Sequence, residues 1–163
     1  MKSRCLQRAD LSGKDRFEKN DKVFQPLVTM KLADLSEMED HDIRAALDRH
    51  WVASDANDFE AEHQIYHEEA VLEYPQSGER IRGRRNIRAS RSAQPSRKRF
   101  TVRRISGAAD LWVTELVITY DARPSYTVSI MEFSDGKVAR ETQYFGDPFE
   151  PGPSRAQWVE RMR

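Results

Sequence analysis

The stretch Glu132–Phe149, EFSDGKVARETQYFGDPF, decides how this chain folds. Glu132-Phe133 closes one strand, Ser134-Asp135-Gly136-Lys137 carries the Asp-Gly chemistry of a tight hairpin turn, and Val138–Phe145 runs on as a second strand. Side chains alternate between the two faces of a strand, so Glu141, Gln143 and Phe145 share one face and Arg140, Thr142 and Tyr144 the other. A carboxylate, an amide and an aromatic ring on one face suit the lining of a ligand cavity better than a plain core.

Working outward, three more runs read as strands: Phe100–Ile105, Leu111–Tyr120 and Tyr126–Phe133, separated by turn residues. Four strands in a row predict an antiparallel meander. The helical signals all come earlier. Ser36 with Glu39 forms a capping box, and Ile43, Ala46, Leu47 and Trp51 follow at helical spacing. Asp55-Ala56-Asn57-Asp58 interrupts this helix, and Phe59, Glu62, His63 and Tyr66 predict a second one ending near Glu69. Ala70–Tyr74 reads as a strand stopped by Pro75 and Ser77-Gly78. A third helix is expected around Ile87, with Arg91 four residues on along its inner side, and a short helix after Ser154 whose Trp158 and Val159 would cap the opening. Helices gathered before the sheet indicate an α+β fold with the helices on the concave face of a curved sheet.

With 163 residues and 19.0 kDa, the chain has material for one domain, and 27 basic residues balance 27 acidic ones. The balance is not local: Arg80–Arg104 holds eleven Lys or Arg and no acid, whereas Asp34–Glu69 holds twelve Asp or Glu. The expectation is that these two surfaces neutralise each other, with neither nucleic acid nor membrane as a partner; aromatic residues are not interleaved with the arginines as single-strand binding requires. Residues 1–29 are polar, without the apolar core of a signal peptide, and the expected division is an arm over 1–35 and a domain over 36–163. Cys5 stands alone, so no internal disulfide is possible. A cytoplasmic location is the default expectation.

The order of elements, with Asp55–Phe59, Glu73-Tyr74-Pro75, Ile81–Arg84 and Arg140–Phe145, resembles the SnoaL-like (polyketide cyclase-like) domains of the nuclear transport factor 2-like superfamily, over about residues 40 to 162. Ketosteroid isomerases share that fold. The resemblance implies a cone whose interior receives Tyr66, Leu72, Tyr74, Gln76, Arg91, Leu116, Ser129, Met131, Glu141, Gln143 and Phe145. It also places the isomerase's proton-shuttling carboxylate on Tyr74, its oxyanion-binding tyrosine near His50, and its partner acid near Ser129. A phenol with a pKa near ~10 is a poor base at neutral pH. Steroid isomerisation by that route is therefore not expected.

What the resemblance implies is a cavity for a small apolar or aromatic molecule, and, if it is catalytic, proton transfer without a cofactor: isomerisation, cyclisation or dehydration. Glu141 would then be the acid or base, Tyr74 and His50 its hydrogen-bonding partners, and Arg91 the stabiliser of negative charge. Two states are open to Glu141: a buried ion pair with Arg91, or an unpaired acid with a raised pKa. The rival function is a dimeric scaffold with a packed cone. No phosphate-binding glycine loop calls for an organic cofactor. His63 and His67 stand four apart, but the acidic neighbours Glu62, Glu68 and Glu69 make a solvated face the simpler expectation, with no metal. Glu115, Glu132 and Arg140 are expected to cluster on the outer sheet face, where a homodimer would form.

Overall fold

The computed structural model describes residues 32–162, with side chains from residue 39 onward. Most of the expected arm therefore lies outside the described residues. Helix α1, Leu32–Ala56, already contains Ser36, so that residue stands within a helix and not at its cap. Asn57 adopts a positive φ of 56° and ends α1; Asp58 then caps the four-residue helix α2, Phe59–Glu62, by accepting from the Ala61 amide at 3.0 Å.

The expected second helix stops there. His63–Ile65 is a single 3₁₀ turn, and strand β1 runs Tyr66–Tyr74, so Tyr66 enters the interior from a strand. Its partner is the hairpin strand: Tyr66 pairs in parallel with Val138, and sheet pairing overrides a helical pattern only two turns long. Tyr66 is buried as expected, and Glu62 and His63 are buried with it, against the expectation of a solvated face. His63 and His67 share no helix face, and His67 instead bonds the Ser134 carbonyl at 2.7 Å.

Strand β2, Glu79–Arg82, helix α3, Arg84–Ser92, and strands β3, Lys98–Ala108, β4, Leu111–Tyr120, β5, Arg123–Ser134, and β6, Lys137–Gly146, complete the fold. The sheet order is β2-β1-β6-β5-β4-β3, with β1–β6 parallel and the other pairs antiparallel. The β5–β6 turn has positive φ at both Asp135 (48°) and Gly136 (70°), as a primed hairpin turn requires. The result is an open, curved α+β sheet with the helices on its concave side. Leu47 and Trp51 of α1, Ile87 of α3 and Leu72, Leu116, Met131, Phe133 and Val138 of the sheet form the core between them.

The end of the chain departs from expectation. Pro153–Trp158 is a 3₁₀ segment, and Trp158 is 76% exposed, with Val159 exposed beside it, so neither caps the opening. On the outer sheet face the expected three-residue cluster divides in two. Arg140 lies 3.8 Å from Glu132 and 3.6 Å from Glu73, while Glu115 pairs with Arg104 at 3.1 Å.

Candidate functional site

Three elements bring charge into the cone. Glu62 ends α2, Arg91 lies on the last turn of α3, and Glu141 points inward from the middle of β6. Arg91 Nη2 donates to Glu141 Oε2 at 2.7 Å, and its Nη1 donates to Glu62 Oε1 at 3.1 Å and to the Tyr66 hydroxyl oxygen at 2.9 Å. The Tyr66 hydroxyl in turn donates to Glu141 Oε2 at 2.5 Å, and Ser129 Oγ donates to Oε1 at 2.7 Å. Glu141 is thus a paired carboxylate. Burial opposes its charge, but Arg91 and the two hydroxyls outweigh burial and hold its carboxyl below the usual range. Arg91 stays charged for the reciprocal reason: burial works against it, and Tyr66, Glu141 and Glu62 more than compensate.

Two histidines flank this network. His50 Nδ1 lies 2.7 Å from the Glu62 carbonyl and His63 Nδ1 lies 2.8 Å from the Phe59 carbonyl; a carbonyl only accepts, so both Nδ1 atoms carry the proton. Each Nε2 is buried without a partner. Burial, aided by nearby Arg91, lowers both pKa values to about 4, so both rings are neutral at physiological pH.

Above the network is a cavity of about 130 Å³. Its walls are Trp51, Phe100, Ile118 and Phe145, and its polar groups come from Glu62, Tyr74, Ser90, Arg91, Gln94, Lys98, Tyr120 and Gln143. Of the residues singled out in the sequence, Tyr74, Arg91, Gln143 and Phe145 line it. Glu141, Ser129 and Tyr66 lie below it, reaching it through Arg91. Leu72, Leu116 and Met131 are fully buried core residues that do not line it. His50 borders a separate groove with Ile43, Arg49, Gln64 and Lys137. Gln76 is exposed, contrary to expectation: its amide spans to β6, accepting from the Phe145 amide and donating to the Phe145 carbonyl, because β1 ends at Tyr74 and the chain turns outward.

Glu62, Lys98 and Tyr120 line the cavity without having been expected there. Glu62 was assigned to a solvated acidic face, yet it is only 3% exposed. Its signal was its place in the series Phe59, Glu62, His63, Tyr66, which marked it as inward. Lys98 gave no signal, being one cation within a basic run.

Comparison with known proteins agrees with this architecture. The SnoaL-like domain model matches residues 43–141. The chain belongs to the SnoaL-like family. Among solved structures, an NTF-2 like protein of unknown function from Burkholderia xenovorans LB400 is 56% identical, with a TM-score of 0.73, over 77% of this chain and 99% of that one. A candidate ketosteroid isomerase from Kribbella flavida DSM 17836 is 25% identical, with a TM-score of 0.71, over 77% of this chain and 93% of that one. A candidate polyketide cyclase from Sinorhizobium meliloti shares the fold at 17% identity and a TM-score of 0.55, over 61% of this chain and 94% of that one. No curated protein matches the sequence.

Proposed function

We propose that the SnoaL-like cone binds a small oxygen-bearing ring compound and moves a proton on it without a cofactor, with Glu62 as the base. One observation carries this reading: Glu62 is the carboxylate that lines the cavity, next to Arg91 and to phenols that burial keeps protonated, whereas Glu141 is held beneath Arg91. A carboxylate and proton donors lining one small cavity are what enolisation chemistry needs. Glu141 then acts on Arg91 and not on the ligand. The similarity to a candidate ketosteroid isomerase and a candidate polyketide cyclase favours the same class of reaction.

Size narrows the ligand. An apolar cavity of about 150 Å³ can take up one benzene ring, so the 130 Å³ here suits a single ring. A fused polycycle would have to displace side chains such as Lys98 and Tyr120. A packed scaffold would leave no such space among aromatic walls.

The test is conversion of 3-cyclohexen-1-one to its conjugated isomer, 2-cyclohexen-1-one, followed by absorbance. The wild-type protein should exceed the buffer rate, and Glu62→Gln should lose the activity. Turnover no faster than buffer, with no deuterium uptake from solvent into other ring ketones, would overturn the proposal. We also propose a homodimer through the outer sheet face.

A further inference from the structure

We propose that Lys98 is the electrophile of this cavity: its ammonium takes the oxygen of a neutral ring ketone and stabilises the enolate formed when Glu62 removes an α-proton. This rests on the proton-transfer reading above and adds the group that receives the negative charge.

Lys98 opens β3 and is only 7% exposed, yet it lines the cavity. Its Nζ donates to the Arg91 carbonyl at 2.9 Å and sits 5.1 Å from the centre of the Phe59 ring. An ammonium has three N–H donors, so this bond leaves two. Neither a carbonyl nor a ring face neutralises a full charge, and among the described residues no carboxylate comes within ion-pair distance of Lys98. Arg91 is differently placed. Its guanidinium is already engaged by Glu62, Tyr66 and Glu141, and turning it to a ligand would strand two buried carboxylates.

The charges also select the ligand. Arg91 and Lys98 against Glu62 and Glu141 sum to zero, so an anionic ligand would leave net negative charge in a buried site, whereas a neutral ketone would not. Enolisation keeps the sum unchanged. The pair from the broken C–H bond forms the new C–C double bond, the carbonyl π pair moves onto oxygen beside Lys98, and the proton moves to Glu62. Returning that proton to the γ-carbon of a β,γ-unsaturated ketone completes an isomerisation with nothing oxidised or reduced. Burial, with Arg91 adding to it, lowers the Lys98 pKa against the opposing pull of Glu62, which eases partial proton donation to the enolate oxygen.

Lys98 also caps the C-terminal end of α3 through the Arg91 carbonyl, so the test must separate catalysis from support. With 3-cyclohexen-1-one as substrate, Lys98→Met should lower kcat by roughly 10²- to 10³-fold, the usual effect of removing one oxyanion donor. Lys98→Arg keeps both the charge and the cap. It should restore part of the activity lost in Lys98→Met, and the fall in rate at alkaline pH should move to higher pH, because a guanidinium does not deprotonate. Tyr74 and Tyr120, raised by burial, are present in both proteins, so the shift reports Lys98 alone. Unchanged kcat in Lys98→Met, or identical alkaline limbs in Lys98→Arg and wild type, would overturn the assignment even if Glu62→Gln is inactive. Borohydride trapping of the substrate on Lys98 would also overturn it, showing a covalent imine instead. A wild-type protein with no turnover above buffer fails the underlying reading as well.

Discussion

Arg91 is shared by two carboxylates, and the deeper one is the more consequential to remove. Glu141 accepts three hydrogen bonds in a fully buried position, so Glu141→Gln should leave part of the guanidinium charge uncompensated and cost about 3 kcal/mol of stability. Urea denaturation at pH 7 measures this, and wild-type stability in the variant would mean the pair contributes nothing. The histidines make a separate prediction. Their folded pKa values, about 4, lie below the 6.5 of the unfolded chain, so between those values the unfolded state binds more protons. Stability should therefore fall as pH drops from about 6.5 towards 4, by up to roughly 3 kcal/mol for His50. His50→Asn retains an N–H for the Glu62 carbonyl but cannot titrate, and should make that limb shallower, leaving the His63 share. Loss of the Glu141 contribution follows at lower pH still, because its folded pKa lies below the unfolded value.

At the scale of elements, the strands were legible because each carries its own period-2 pattern between recognisable turns. Leu111–Tyr120 matches β4 residue for residue, and Asp135-Gly136 adopts the turn its chemistry demands. What was not legible depended on partners distant in sequence. The strand starts as early as Tyr66 because Val138 of β6 is there to pair with it, and Lys98 enters the cavity because a β3 strand longer than its apolar pattern places it beside the end of α3. Gly107 shows the same dependence. It pairs with Trp112, and a Cβ there would lie 2.5 Å from the Leu111 carbonyl oxygen and 2.7 Å from the Trp112 Cα, both backbone atoms that cannot swing aside. Gly107→Ala should therefore destabilise the β3–β4 hairpin by about 1–3 kcal/mol. A thermal melt checks this, and an unshifted melt would mean the strands can part at little cost.

Across the whole molecule, the uneven charge of the sequence resolves into pairs between its acidic and basic stretches. Arg84 meets Glu68, Arg88 meets Glu60 and Arg99 meets Asp55, so much of the basic run is neutralised within the chain. That leaves the outer sheet face as the surface with the strongest claim to a partner. Tyr126 and Tyr144 are exposed there, and Val113, Val117, Val128 and Ile130 are only partly covered. A second copy would bury this strip while its rim pairs, Arg104–Glu115 and Arg140–Glu132, stay near water. Sedimentation at micromolar concentration should show twice the 19.0 kDa chain mass. Tyr126→Glu sets a carboxylate within the strip, opposite Val117, and should give monomers with an unaltered melting profile at low concentration. A wild-type protein that sediments only as the single chain would remove the dimer while leaving the cone and its chemistry untouched, because no residue lining the cavity belongs to that strip.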